Sequence, residues 1–262
     1  FETHTYEQKD HNGKIIGKLE LQKPIHVLFE GLDLDVYDKT EELPATIVSS
    51  IKEVSETFCF LCIGHWLQGD LYHDRKDIGG LLQTFYYTFK GKKDKPALIL
   101  KTSGATFSVT DREEMLRRIR LTRESVGIPS KDLPNVYLIH GDMTEKEVNG
   151  LYNHPKVKAM VSFTHGEGFG RPLLEFGTTG KPILAPNWSG QTDFLGNYTF
   201  KMPGELKEVH KSAIQKDVIL EGSRWFYTDM AYASKLMKDI YKKYKLFLAT
   251  SRKQRKYVKD NF

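Results

Sequence analysis

The sequence of 262 residues has little cysteine, no long apolar run and only a small excess of one charge. Its longest uninterrupted apolar run is residues 58–63, six residues, whereas a membrane-spanning helix needs about 20. The first residues do not follow the basic and then apolar pattern of a secretory signal peptide. With 39% hydrophobic and 28% charged residues, the composition excludes intrinsically disordered and low-complexity classes. We therefore expect a globular, cytoplasmic protein with a sizeable core.

The two cysteines, Cys59 and Cys62, form a C-x-x-C pattern inside the apolar run. In a strand, positions i and i+3 point to opposite faces of the sheet, so this spacing disfavours a shared metal ion. The nine histidines show no H-x-x-x-H or H-E-x-x-H spacing. We expect buried structural thiols in a reducing compartment, and no metal centre.

The charge is unevenly distributed along the chain. The net charge is +5, but residues 242–262 alone hold eight Lys and Arg against one Asp, which leaves 31 basic and 33 acidic residues in the rest. A basic helical tail is more often a solvated helix face than a nucleic-acid surface. A nucleic-acid partner, or peripheral attachment to an anionic membrane surface, is kept as an alternative.

From residue 57 onward, short apolar runs alternate with helical patterns, which is typical of parallel βαβ units. The predicted strands are residues 57–64, 97–102, 135–141, 157–164 and 181–186. The predicted helices between them are residues 76–90, 111–126, 145–153 and 171–178. The sequence therefore predicts an α/β fold with a Rossmann-like parallel sheet flanked by helices.

Both ends of the chain differ from this pattern, so we divide it into residues 1–44, 45–228 and 229–262. Asn12-Gly13 between two extended stretches predicts a hairpin, followed by a strand at residues 25–29 and a linker. From Asp229 the spacing predicts one long basic helix that packs through a stripe from Tyr232 to Phe247. Two capping boxes mark helix starts, Thr110 with Glu113 and Thr144 with Glu147.

The most informative segment is residues 157–194, where a strand runs into a glycine-rich loop and then a helix. Gly166, Gly168 and Gly170 let a backbone approach a ligand closely, although glycines alone fit a tight connection as well. Free N–H groups and the positive end of a helix dipole at this point favour an anion such as phosphate.

The same loop and helix carry two carboxylates, Glu167 and Glu175, eight residues apart. Carboxylates gain nothing for phosphate binding, but they accept hydrogen bonds from hydroxyl groups. The segment therefore indicates a ligand with both phosphate and sugar groups.

Four further segments accompany this pair. They are Arg75-Lys76-Asp77, the strand and turn at residues 136–143, the strand at residues 180–185 and the turn at residues 189–193. With the E-x7-E spacing of Glu167 and Glu175, and with Gly168-Phe169-Gly170 between them, they resemble the motifs of GT-B glycosyltransferases of the retaining, group 4-like branch. The resemblance covers about residues 25–245. It implies the C-terminal, donor-binding half of a GT-B fold, whose facing N-terminal acceptor-binding domain is then a missing partner.

The resemblance also implies a role for individual residues. Glu167 would accept hydrogen bonds from the donor sugar and Glu175 from the ribose, while Lys76, with Arg75, would neutralise the leaving diphosphate. Glu167 and Lys76 are thus the implied catalytic residues. The implied donor-binding residues are Arg75, His65, His140, Met143, Gly166, Gly168, Phe169, Gly170, Arg171 and Glu175. His65 stands where the family usually has Arg. The implied reaction needs no metal and no cofactor besides its substrate, a UDP-sugar or GDP-sugar.

Other functions fit the sequence less well or share its fold. A dinucleotide-dependent oxidoreductase would need G-x-G-x-x-G after the first strand, where Gly64-His65-Trp66 stands instead. A P-loop enzyme is excluded because Gly180-Lys181 is followed by Pro182. A non-catalytic nucleotide-sugar-binding module and a nucleotide-sugar epimerase of the same fold remain as alternatives.

Overall fold

Residues 4–21, 26, 28–67, 71–104 and 106–262 are described by the structure, a computed structural model. The chain divides between residues 31 and 32 into a first unit, which also includes residue 262, and a second unit of residues 32–261. The boundaries at 44 and 228 stay predictions.

The first unit contains a β-hairpin. Strand β1 (His4–Lys9) pairs antiparallel with β2 (Ile15–Leu21). In the turn, Asp10 Oδ1 accepts hydrogen bonds from the backbone N–H of Asn12 and of Lys14, both at 2.9 Å, and Gly13 has a φ of 81°. The predicted hairpin is confirmed, whereas the strand predicted at residues 25–29 includes residues 25 and 27, which lie outside the described residues.

The second unit alternates strands and helices. Its helices are α1 (Ala45–Ser50), α2 (Ile78–Phe89), α3 (Val109–Ser125), α4 (Glu145–Asn153), α5 (Arg171–Gly177), α6 (Met230–Lys242) and α7 (Tyr244–Asn261). Its strands are β3 (Cys59–Ile63), β4 (Ala97–Lys101), β5 (Val136–Ile139), β6 (Val157–Val161), β7 (Ile183–Pro186), β8 (Phe200–Met202), β9 (Gly204–Glu208) and β10 (Arg224–Thr228).

Six of these strands form one parallel sheet in the order β5-β4-β3-β6-β7-β8. The predicted α/β class, the five predicted strands and the four predicted helices between them are confirmed. Strand β8 at the edge of the sheet was not predicted, because three residues are too few to show a hydrophobic period.

Helices cover both faces of the sheet. On one face, α2, α3 and α6 form a buried cluster with alternate strand residues such as Phe60 and Cys62. Cys59 and Leu61, which point to the opposite face of the sheet, are equally buried, as expected for a strand covered on both sides. On the second face α4 contacts β6, α5 contacts β7, and α1 and α7 pack against these helices.

The prediction of one long helix from Asp229 is wrong. Asp229 does cap a helix, since its side chain accepts hydrogen bonds from the N–H groups of Ala231 and Tyr232. Helix α6 ends at Lys242, however, and α7 begins at Tyr244. The break has a packing reason: α6 contacts α2 on one face of the sheet, whereas α7 contacts α5 on the other. A straight helix could not contact both layers.

The predicted stripe of this region is confirmed in part, because Ile240 is buried and Leu236, Tyr244 and Phe247 pack against the core. Ala233, Met237 and Ile240 form the buried face of α6, while Tyr232 is 43% exposed. Two basic residues of α7, Arg255 and Lys259, form ion pairs with Asp38 at 2.7 and 2.5 Å. Burial would raise the pKa of Asp38, but these two cations lower it to about 2.

A hairpin of β9 and β10 follows the edge strand and was not predicted. Its two strands pair antiparallel, and the backbone N–H of Asp229 donates to the carbonyl of Pro203 at 2.8 Å, which closes the base of the hairpin. Residues 203 and 229 would otherwise join β8 directly to α6, so residues 204–228 form an excursion at the carboxyl end of the sheet.

The thiols of Cys59 and Cys62 are free and buried, as predicted. Burial raises the pKa of each thiol to about 12, so neither is a nucleophile at neutral pH. In the described part of the chain, no helix combines the length and the apolar character needed to cross a membrane.

Of the two predicted capping boxes, one is confirmed and the other is wrong. Thr144 and Glu147 bond to each other's backbone N–H at the start of α4. Helix α3 is capped instead by Ser108, whose side chain accepts from Asp111 N, so that Thr110 lies inside the first turn. Ser108 occupies the N-cap position because its backbone is extended, with a ψ of 163°, as an N-cap residue requires.

We therefore expect Thr144→Ala to lower the free energy of unfolding by about 1 kcal/mol, since it removes an N-cap hydrogen bond. Thr110→Ala is the matched control, because Thr110 is exposed and also stands three residues before a Glu. It should change the free energy of unfolding by less than about 0.5 kcal/mol. Urea denaturation of both variants measures the difference. Equal losses would contradict the assignment of the two caps.

Candidate functional site

The candidate site lies at the carboxyl end of the parallel sheet, where loops from β3 and β6 meet. The backbone N–H of His165, after β6, donates to the carbonyl of Arg75 at 2.8 Å. Because β3 and β6 are adjacent, the basic turn and the glycine loop that follow them lie side by side.

An ion-pair cluster joins the two loops. Lys76 Nζ donates to Glu167 Oε1, and Arg75 Nη1 donates to Glu167 Oε2 at 3.1 Å and to the carbonyl of Gly166 at 2.9 Å. The side chains of Lys76 and Glu167 are only 14% and 10% exposed. Burial alone would raise the pKa of Glu167, but the charges of Lys76 and Arg75 lower it below its ordinary value. Glu167 is therefore a carboxylate at neutral pH.

The position of Lys76 depends on a glycine in the neighbouring loop. A Cβ on Gly64 would lie 3.1 Å from Cε and 3.2 Å from Cδ of Lys76, so the lysine stem rests against the Gly64 backbone. Gly64 also has a φ of 156°, which side-chain-bearing residues rarely adopt.

The turn after β7 hydrogen-bonds to the backbone of the glycine loop. Ser189 Oγ accepts from the backbone N–H of Glu167 at 3.0 Å and donates to its carbonyl at 2.5 Å, and Gly190 N donates to the same carbonyl at 3.1 Å. A Cβ on Gly190 would lie 2.0 Å from the carbonyl oxygen of Gly168, so only glycine permits this approach. Gly170, with a φ of 93°, then starts α5.

Glu167 does not cap α5. The N-cap position is occupied by Gly170, and no side chain makes a capping hydrogen bond there. The predicted anion site at the start of α5 stays a prediction; the N–H of Glu167 is already bonded to Ser189.

Glu175 lies deeper than Glu167 and has protein partners on both oxygens. Tyr152 Oη donates to Oε2 at 2.8 Å, and Arg171 Nε donates to Oε1 at 3.1 Å. Glu175 is 5% exposed, and burial raises its pKa although Tyr152 and Arg171 lower it. Its contact with a ribose stays a prediction. Arg171 also lies near a second carboxylate, with Nη2 3.7 Å from Glu145 Oε1.

A small cavity lies beside the ion-pair cluster at the ends of β3, β4 and β5. It measures ≈ 200 Å³, and its lining includes the predicted residues His65 and Met143 together with Lys101 and Phe107. His65 Nδ1 is 3.0 Å from Ser103 Oγ, and Lys101 Nζ donates to the carbonyl of Gly141 at 2.6 Å.

His140 occupies a different place from His65 and Met143. Its Nε2 is 2.7 Å from Asp111 Oδ2, and Asp111 also accepts from the backbone N–H of Gly104. The side chain of His140 is 4% exposed, so it supports the turn from within. Phe169 packs against Phe194, with ring centroids 5.1 Å apart.

The structure thus brings Arg75, Lys76, Gly166 and Glu167 into one cluster. Sequence reasoning missed four residues that hold this region, namely Lys101, Asp111, His165 and Ser189. Two of them gave a signal: Ser189 lies in the turn at residues 189–193 that accompanies the motifs, and Lys101 is a cation at the carboxyl end of a buried strand. Within the described residues there is no group of three or more His, Cys, Asp or Glu side chains placed to hold a metal ion.

Solved structures share this fold. The C-terminal domain of a group 1 family glycosyltransferase (LpcC) from Francisella tularensis has a TM-score of 0.57 and 12% identity, over 88% of this chain and 98% of that one. HepE of Anabaena, solved with UDP-glucose, has a TM-score of 0.58 and 13% identity, over 90% of this chain and 53% of that one. Sucrose-phosphate synthase from Thermosynechococcus elongatus has a TM-score of 0.59 and 14% identity, over 88% of this chain and 47% of that one.

At these identities the similarity shows the fold, which is that of the C-terminal domains of GT-B glycosyltransferases and confirms the fold that the motifs implied. The chain spans about half the length of HepE and of the synthase. The sequence matches no protein-family model and no curated protein.

The turn before α2 generates a prediction about pH. Asp74 accepts a hydrogen bond from Ile78 N and is 1% exposed, and burial raises its pKa from 3.8 to about 6 although the Arg118 charge opposes this. The folded chain therefore keeps this proton to higher pH than the unfolded chain, and the associated stability is lost as pH rises from about 4 to 6.

Asp74→Asn removes this titration. We expect the variant and the parent to be equally stable below pH 4 and the variant to be more stable at pH 7, by an amount of the order of 3 kcal/mol. Thermal and urea unfolding at both pH values measures this, with Asp35→Asn at an exposed position as the control. A stability difference that does not change with pH would contradict the assignment.

Proposed function

We propose that the chain is the donor-binding domain of a glycosyltransferase. It binds a nucleoside diphosphate sugar, and the sugar passes to an acceptor with retention of configuration and without a metal ion. The observation that carries the proposal is the cluster of Lys76, Arg75 and Glu167, at the carboxyl end of a sheet whose fold is shared with glycosyltransferases. The acceptor would bind to a facing N-terminal domain.

The chemistry of the cluster suits the departure of a diphosphate. Negative charge grows on the leaving group as the glycosidic bond breaks, and a cation already in place stabilises that charge without reorganisation. Lys76 is partly shielded from water, which strengthens its electrostatic effect, and Arg75 beside it is 42% exposed and can reach outward. Glu167, as a carboxylate, can accept hydrogen bonds from sugar hydroxyls.

The base and ribose have candidate positions beside the cluster. The cavity lined by His65 and Met143 lies next to the strand end that carries Gly64, against which Lys76 packs. HepE was solved with UDP and with UDP-glucose, so a UDP-sugar is the first donor to test, with a GDP-sugar second. A binding module without activity would bind the donor and leave it intact, and an epimerase would release free sugar without an acceptor.

The proposal is tested by the contribution of Lys76 to the affinity for UDP. Lys76→Ala should weaken binding of UDP about tenfold or more and leave binding of uridine nearly unchanged, because the lysine acts on the phosphates. Calorimetry of both ligands decides this. Lys253→Ala, an exposed lysine of α7, is the control and should change neither affinity. If UDP and uridine lose affinity equally, Lys76 does not contact the phosphates.

The two carboxylates should report on different parts of the donor. Glu175→Gln should weaken binding of UDP by about 1.5–3 kcal/mol, since it removes a charged hydrogen bond to the ribose. Glu167→Gln should not weaken UDP binding, because Glu167 serves the sugar and pairs with Lys76 in the free chain, and it should lower the affinity for UDP-glucose. Melting temperatures of both variants separate these effects from loss of folding. A Glu167 variant that loses UDP as severely as the Glu175 variant would exclude this division of roles.

A further inference from the structure

The turn that carries Arg75 and Lys76 has an unusual backbone. Tyr72 and Asp77, on either side of the two cations, have φ values of 72° and 45°, in the left-handed region that residues other than glycine seldom adopt. Such conformations persist only where neighbouring groups hold them, and they concentrate at functional sites. Asp77 is held by its own side chain, which accepts from Gly80 N at 3.1 Å.

The contact to Tyr72 comes from His165, one residue before the glycine loop. Its Nε2 lies 3.1 Å from the carbonyl oxygen of Tyr72, and its Nδ1 lies 2.8 Å from the carbonyl oxygen of Phe226 in β10. Burial lowers the pKa of His165, so the ring is neutral at neutral pH. Carbonyl oxygens only accept, so the single ring N–H donates to one of the two. His165 is 1% exposed, so water does not compete for these contacts.

Main-chain and aromatic contacts fix the ring in this position. The backbone of His165 donates to the carbonyl of Arg75 and accepts from Phe226 N at 3.2 Å. The ring stacks on Trp225 with centroids 5.0 Å apart and an interplanar angle of 22°, and it contacts Tyr227 at 4.3 Å. One residue thus contacts the basic turn, the glycine loop and the hairpin of β9 and β10.

We infer that His165 is a positioning residue for the diphosphate site: with its ring proton on Nε2, it donates to the carbonyl of Tyr72 while the ring stacks on Trp225 of the hairpin, and so holds the turn that presents Arg75 and Lys76 to the ligand. This inference rests on the proposed function. It also gives a role to residues 204–228, since β10 supplies the second wall of the histidine pocket. His165 itself touches neither the phosphates nor the sugar.

Three variants test the role of the ring. His165→Phe keeps an aromatic ring against Trp225 and removes both hydrogen-bonding nitrogens. It should lower the affinity for UDP about fivefold, the effect of one lost hydrogen bond, with uridine affinity unchanged. His165→Gln keeps an N–H donor and should recover part of the loss. His154→Gln is the control: His154 is 8% exposed and lies before β6, at the opposite end of that strand. It should leave the ratio of the two affinities unchanged.

A second measurement needs no ligand. Hydrogen exchange of peptides covering residues 71–80 should be faster in His165→Phe than in the parent, and unchanged in His154→Gln. If His165→Phe does not fold, His165→Gln replaces it in both measurements, with smaller effects in the same direction.

The outcomes separate the inference from the proposed function. A parent chain that binds neither UDP nor GDP contradicts the proposed function, and the exchange rates then decide on His165 alone, with unchanged rates overturning the inference. Where the parent binds UDP, a selective loss of UDP affinity in the His165 variant supports the inference. An unchanged ratio of UDP to uridine affinity overturns it, whatever the exchange rates are.

Discussion

The site depends on the buried ion pair between Lys76 and Glu167. The two residues are 91 positions apart in the chain and follow two adjacent strands. Removing such charges from water costs free energy that their attraction only partly returns, and removing one partner alone leaves an unpaired buried charge. The surroundings offset this cost: Arg75 adds a second cation to Glu167, the backbone of Gly64 supports the lysine stem, and Ser189 fixes the backbone of Glu167.

The same pairing has a consequence for the proposed donor. In the free chain, Lys76 and Glu167 satisfy each other. A nucleoside diphosphate sugar offers an anion to the lysine and hydroxyl groups to the carboxylate, so both charges would keep a partner when the ligand enters. A nucleoside diphosphate without sugar would draw Lys76 away and leave Glu167 to Arg75 alone. On this argument, the ion pair favours the intact donor over the product.

Much of the fold followed from local pattern, and the exceptions have long-range causes. The central strands are buried on both faces, so their apolar runs marked them clearly, and the cap of α4 was visible in Thr144 and Glu147. The break at Lys243 was not, because it arises from packing of α6 and α7 on opposite faces of the sheet. Strand β9 was not predicted because four of its five residues are exposed and only Leu206 is a large apolar residue. Strand β10 was not predicted because its consecutive aromatic residues, 225–227, show no alternation of apolar and polar positions.

The residues of the site divide in the same way. Arg75, Lys76 and Glu167 could be placed together, because the carboxyl ends of parallel strands meet at one edge of the sheet. The roles of His165 and Ser189 could not be predicted, although Ser189 lies in the turn at residues 189–193 that accompanies the motifs. Each contacts main-chain atoms of a distant segment, and residue type and spacing do not reveal such contacts. Sequence thus indicates the groups that would meet a ligand more readily than the groups that hold them. In this chain the position of the basic turn depends on the contact of His165 with the carbonyl of Tyr72 and with the hairpin that follows β8. Neither Tyr72 nor the hairpin belongs to any motif.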